Sequence, residues 1–146
     1  MKSIRTLIII CAAFFAFAFS CEENENAEAS TPLLIGKWQV YERGYSPGAG
    51  YITEAVPARP EQTITFSPNN RFSSNISGIK DYDYYRILTD EASQQEILAL
   101  FKADPGNEPI NQDEIEHSYT IEFTDNKLKL YFRWCFEGCH IGLVKK

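Results

Sequence analysis

The side chains in this chain that could do chemistry are few and gathered near its end. Cys135, Cys139 and His140 are soft donors within one short segment, and His117 lies upstream. Three such ligands fall one short of the usual tetrahedral zinc set, and no fourth stands at a characteristic spacing, so no metal is expected. Two histidines do not supply a Ser-His-Asp arrangement without invented proximity. Asp81 and Asp83 share a strand face among tyrosines. A glycosidase pair instead needs acids on separate elements facing across a sugar, so solvated charge is the simpler reading. Neither an enzyme nor a bound cofactor is expected.

The aromatic stock offers more. Trp38, Phe66, Phe72, Phe123, Phe132 and Trp134 stand at positions that alternation would turn inward. They read either as the filling of a core or as the lining of an apolar ligand cavity, and a barrel of eight strands is just wide enough to be filled by its own side chains. Tyr82, Tyr84 and Tyr85 allow a third idea, an exposed platform for a glycan or a protein, since tyrosine joins contact area to a polar tip.

These residues need strands to position them. In the segment beginning at Leu34, Trp38 and Val40 alternate with Lys37, Gln39 and Tyr41, the pattern of a half-buried strand. Residues 44–60 are rich in glycine and proline and read as loop, with brief pairing at 51–53. Residues 61–67 and 71–77 are strands joined by the turn Pro68-Asn69-Asn70. Residues 80–88 alternate and are aromatic, favouring a strand. Residues 89–103 carry a cap-type residue, early acids, Ile97, Leu98 and Phe101 at helical spacing, and a Pro105-Gly106 stop, which predicts a helix. Two further strands follow at 117–124 and 127–134, joined at Asp125-Asn126, and a last one at 139–145. The expected fold is all-β, a small antiparallel barrel or sandwich of seven or eight strands with one inserted helix.

The first residues carry an address. Lys2 and Arg5 precede an uncharged apolar run ending at Ser20, the anatomy of a signal peptide over 1–20. The run is shorter than the roughly 20 apolar residues a spanning helix needs. Phe17-Ala18-Phe19-Ser20-Cys21 resembles a lipobox, which implies cleavage before Cys21 and lipid on its thiol; the alternative is an ordinary secretory signal that leaves Cys21 free. Residues 21–33 are acidic and nearly free of apolar groups, the composition of a flexible tether to a domain over 34–146. Such acidic residues after the cysteine also resemble surface-export signals of some Gram-negative lipoproteins. The expected location is the cell envelope, anchored to the outer membrane and facing either the periplasm or the outside. In that oxidising compartment a disulfide between Cys135 and Cys139, closing a short glycine-bearing turn, is expected.

Charge narrows the partners. Removing residues 1–20 takes away Lys2 and Arg5 and no acid, so the 14 basic residues become 12 against 20 acidic ones and the balance moves from −6 to −8. That sign excludes a nucleic-acid surface. It also leaves no basic face for anionic lipid, so membrane contact falls to the lipid on Cys21.

Gly36-Lys37-Trp38 at the head of the first strand looks like the Gly-x-Trp signature of lipocalins. The run from Gln62 to Phe72 and the cysteine-bounded Cys135-Phe136-Glu137-Gly138-Cys139 resemble bacterial lipocalin-like lipoproteins. The resemblance implies an eight-stranded up-and-down barrel with Trp38 at its closed end and a small apolar ligand inside. The other reading is a non-catalytic interaction module that displays loops 44–60 and 89–114 to a protein or glycan.

Overall fold

The computed structural model describes residues 31–146, so the signal peptide, Cys21 and most of the tether lie outside the described residues. A single helical turn α1 (Thr31–Leu34) leads into nine strands: β1 (Gly36–Tyr45), β2 (Ile52–Ala55), β3 (Thr63–Ser67), β4 (Arg71–Ser74), β5 (Tyr84–Thr89), β6 (Glu96–Phe101), β7 (His117–Thr124), β8 (Lys127–Phe132) and β9 (Cys139–Lys145). Every pairing is antiparallel, and β1 pairs with β9 as well as with β3, so eight strands close into a barrel and β2 rides on β1 outside the ring.

β1 organises the closure. Its first half, Gly36 to Gln39, pairs with β3, and its second half, Glu42 to Tyr45, pairs with β2. The changeover coincides with a bulge against β9 between Val40 and Glu42. A bulge bends the strand and shifts which side chains face in, so one strand can serve two neighbours on the same edge.

Strand directions alternate round the ring, so the connections sort into two ends. The turns at 68–70, 90–95 and 125–126 lie at the end where the chain enters and leaves. Asn69, Asn70 and Asp125 turn there with positive φ, a conformation their short polar side chains tolerate. The long connections, 46–62, 75–83, 102–116 and 133–138, all lie at the other end.

At the entry end, Trp38 donates its indole N–H to Leu34 O at 2.7 Å, and both residues are buried. Lys145 Nζ lies 5.4 Å from the centre of the Trp38 ring and donates to Leu33 O. Gly36 has φ +136, a backbone conformation that side-chain-bearing residues rarely adopt, which accounts for the glycine of Gly-Lys-Trp. Trp38 is thus buried at this end, with Leu34 and Lys145 packed against it.

The interior is filled. Ile64, Phe66, Phe72, Tyr85, Leu98, Leu128, Leu130 and Leu143 meet Trp38 and Val40 in one buried cluster. Tilted and edge-on contacts of Phe66 with Phe72 at 5.5 Å and with Tyr85 at 5.1 Å pack the middle. Each large apolar side chain so buried contributes about 1.5–3 kcal/mol.

Two expectations are overturned. The helix over 89–103 is absent: 90–95 is a turn and 96–101 is β6, hydrogen-bonded to β5 and β7. Its four central residues are all buried. Leu98 and Leu100 belong to the barrel core, while Ile97 and Ala99 point outward beneath the 102–116 connection. That connection is stitched down by Arg86 to Glu108 O at 2.8 Å and by Trp134 to Ile115 O at 3.1 Å. A strand buried on both faces loses its alternation and reads like a helix. The tyrosine platform also fails: Tyr82 and Tyr85 are core residues, and Tyr84 lies under the Arg71 guanidinium at 4.3 Å.

Candidate functional site

The loop-rich end is only partly covered. Ile76, Ile79 and Tyr82 of the 75–83 connection turn in to join the core, and they leave an opening where β1, β7, β8 and β9 meet. Register decides what lines it. Tyr119 faces Phe132, Leu130 faces Ile141, Ile141 faces Arg43, and Cys139 faces Tyr45. These residues surround a recess of about 300 Å³. Its walls are the apolar Leu130, Phe132 and Ile141; Arg43 and Tyr45 stand at the rim.

Tyr119 is 4% exposed, and its hydroxyl has no hydrogen-bond partner among the described residues. Burial pushes its pKa well above the ordinary tyrosine value, so it stays a neutral donor. Arg43 donates to Gln62 Oε1 at 2.6 Å and forms no ion pair among the described residues. Its cross-strand neighbour Glu54 accepts instead from the Tyr45 hydroxyl at 2.8 Å.

Beside the recess is an apolar edge. Cys135 and Cys139 are joined in a disulfide, as expected, so neither thiol is available to a metal. The loop they close lifts Phe136 to 99% exposure, next to Trp134 at 45%. Tyr45, Tyr51 and Ile52 are also exposed on the adjoining β1–β2 hairpin.

The two histidines have separate settings. His117 shares a 2.8 Å hydrogen bond with the Tyr82 hydroxyl and lies 5.2 Å from the Phe132 ring. Desolvation lowers its pKa below the usual imidazole value, with Glu116 pulling the other way. His140 is 4% exposed although it points outward from β9. Its Nδ1 is hydrogen-bonded to the Tyr51 hydroxyl and its Nε2 to Glu42 Oε1 at 3.1 Å. Burial raises the Glu42 pKa, but hydrogen bonds from His140 and Tyr41 and the nearby Lys129 charge outweigh it and hold the carboxyl below its usual range. Tyr131 leans on the same ring and, through burial and its bond to Glu122, is pushed up to about 12. Room for this cluster comes from Gly44 and Gly142: a side chain on the first would strike His140 and Tyr51, and on the second Glu42. The cluster fastens the 46–51 loop to the barrel wall.

Of the six aromatic residues singled out, Trp38, Phe66 and Phe72 are core, Phe123 and Phe132 are half-buried, and Trp134 lies outside. Phe132 alone of the six lines the recess. The alternation assigned to Trp134 stops mattering because β8 ends at Phe132. Arg43 carried no signal, since the bulge that turns it to the recess cannot be read from residue types. Asp81 and Asp83 bracket the buried Tyr82 and do not form a facing pair.

No known family, curated protein or solved structure matches this chain.

Proposed function

We propose that this chain is a lipocalin-like lipoprotein of the cell envelope, a non-catalytic binding protein that takes a small apolar ligand at the loop-rich mouth of its barrel. The observation that carries the reading is the recess walled by Leu130, Phe132 and Ile141 in a barrel otherwise filled by its own side chains. At about 300 Å³ it is at the low end of small-molecule sites. The ligand would therefore sit in the mouth and not in a hollow interior. A signal peptide over 1–20, lipid on Cys21 and the acidic tether complete the reading. Since the chain enters the barrel at the closed end, such an anchor would point the mouth away from the membrane.

Native mass spectrometry and solvent extraction of the full chain purified from its own host test this. The expected result is a recurrent small molecule, lost in Ile141→Trp, where a larger side chain occupies the recess. A bare polypeptide mass would transfer weight to the second reading, an interaction module. That reading draws on Phe136 and Trp134, apolar side chains held out in solvent on a covalently closed loop. Exposed aromatic anchors of this kind dominate many protein interfaces.

A further inference from the structure

We propose that the mouth selects small amphipathic anions, molecules with an apolar body and a carboxylate or similar oxyanion head, and that Arg43 is the residue that reads the charge. This rests on the reading of the mouth as an apolar-ligand site and names the ligand class for it.

The placement of Arg43 is the first support. Below the bulge, β1 turns Trp38 and Val40 into the core; beyond it, register sets Arg43 opposite Ile141 and Tyr45 opposite Cys139, beside the recess. The guanidinium is oriented by Gln62 Oε1 at 2.6 Å, which leaves most of its donors free. No carboxylate lies in ion-pair range of Arg43 among the described residues, so its charge is open to a ligand entering the recess. The carboxylate best placed to quench it, Glu54, is engaged by the Tyr45 hydroxyl. Of the other arginines, Arg133 is paired with Asp90 at 3.0 Å, Arg71 lies over the Tyr84 ring and Arg86 donates to Glu108 O; none of these three lines the recess.

Tyr119 is the second support. Its hydroxyl makes no hydrogen bond among the described residues, and the residue lines the recess, so a ligand oxygen reaching the wall would find a free donor there. Arg43 at the rim and Tyr119 on the wall thus offer one charged and one neutral donor around an apolar surface. A neutral apolar molecule would satisfy neither. A compact inorganic anion would leave Leu130, Phe132 and Ile141 unfilled.

The test is calorimetric titration of the full chain in detergent micelles, with empty micelles as the blank, using phenylbutyrate and its neutral amide, phenylbutyramide. The two probes share their apolar body and differ in charge. Charge-assisted hydrogen bonds contribute about 1.5–3 kcal/mol, so the acid should bind at least about tenfold tighter than the amide. Arg43→Gln should abolish that preference while leaving amide binding in place; the site is at the surface, and circular dichroism checks that the fold is kept. Tyr119→Phe, which removes the hydroxyl and keeps the ring, should weaken acid binding several-fold. Equal affinity for the two probes, or a preference that survives Arg43→Gln, overturns the assignment of charge selection and leaves the apolar mouth standing. Absence of binding by both overturns the mouth reading itself.

Discussion

Trp38 and Trp134 make the same polar contact and do opposite things. Each donates its indole N–H to a backbone carbonyl, Trp38 to Leu34 at 2.7 Å and Trp134 to Ile115 at 3.1 Å. Yet Trp38 is 2% exposed at the closed end, and Trp134 is 45% exposed at the loop-rich end. The hydrogen bond fixes an indole in either case; what differs is how much apolar surface leaves water. At the closed end that surface holds the barrel together. At the other it is kept available, beside the disulfide loop and the recess.

The contrast breaks most directly under truncation. Trp38→Ala should cost about 3–5 kcal/mol, while Trp134→Ala should cost less than about half of that; comparable shifts in denaturation midpoint would erase the distinction between the two ends. Gly44→Ala comes next. Its methyl group must displace His140 or Tyr51, so a loss of about 1–3 kcal/mol is expected. Hydrogen exchange should localise the added mobility to 46–55, and exchange unchanged there would mean that the cluster does not fasten the loop.

A smaller effect is set by pH. His117 has its pKa lowered by burial in the folded state, so the unfolded chain binds the proton more readily. Stability should therefore be fully present above about pH 6.5 and fall as the pH drops from there toward the folded pKa. In His117→Gln that part of the slope should vanish; an unchanged profile would remove His117 as its source. Glu42 acts lower on the scale: its depressed pKa supports stability above the ordinary glutamate value, lost as the pH falls through the folded one. The smallest expected effect is Phe136→Ala, within about 0.5 kcal/mol of the parent because the ring is already in water. A substantial loss of stability would show that Phe136 packs in solution and that the loop-rich edge is not a display surface.

The sequence showed the strands that have one wet face. Alternation in 117–124 and 127–134 gave β7 and β8 their inward rows, although β8 stops two residues short at Phe132, and β9 begins and ends where the residues said it would. The asparagine turn at 69–70 was legible because few residues tolerate that backbone. β6 was not legible. A side chain's neighbours across the sheet are set by tertiary folding, and here the 102–116 connection buries the second face as well, leaving a continuous apolar run. The site was harder still. Phe132 could be singled out by type, but Arg43 reaches the recess through a one-residue bulge, and a shift of one residue exchanges the faces of a strand. Nor does any local pattern say that Tyr51, distant in the chain, stacks on His140.

The double allegiance of β1 has a mechanical consequence. A pull applied at Thr31 against a load at the loop-rich end would run along β1, which is bonded to β9 on one edge and to β3 and then β2 on the other. Those bonds lie across the line of force and are strained together, in shear, instead of parting one by one like a zipper. The strand that receives the chain is thus the one best placed to carry tension through the domain.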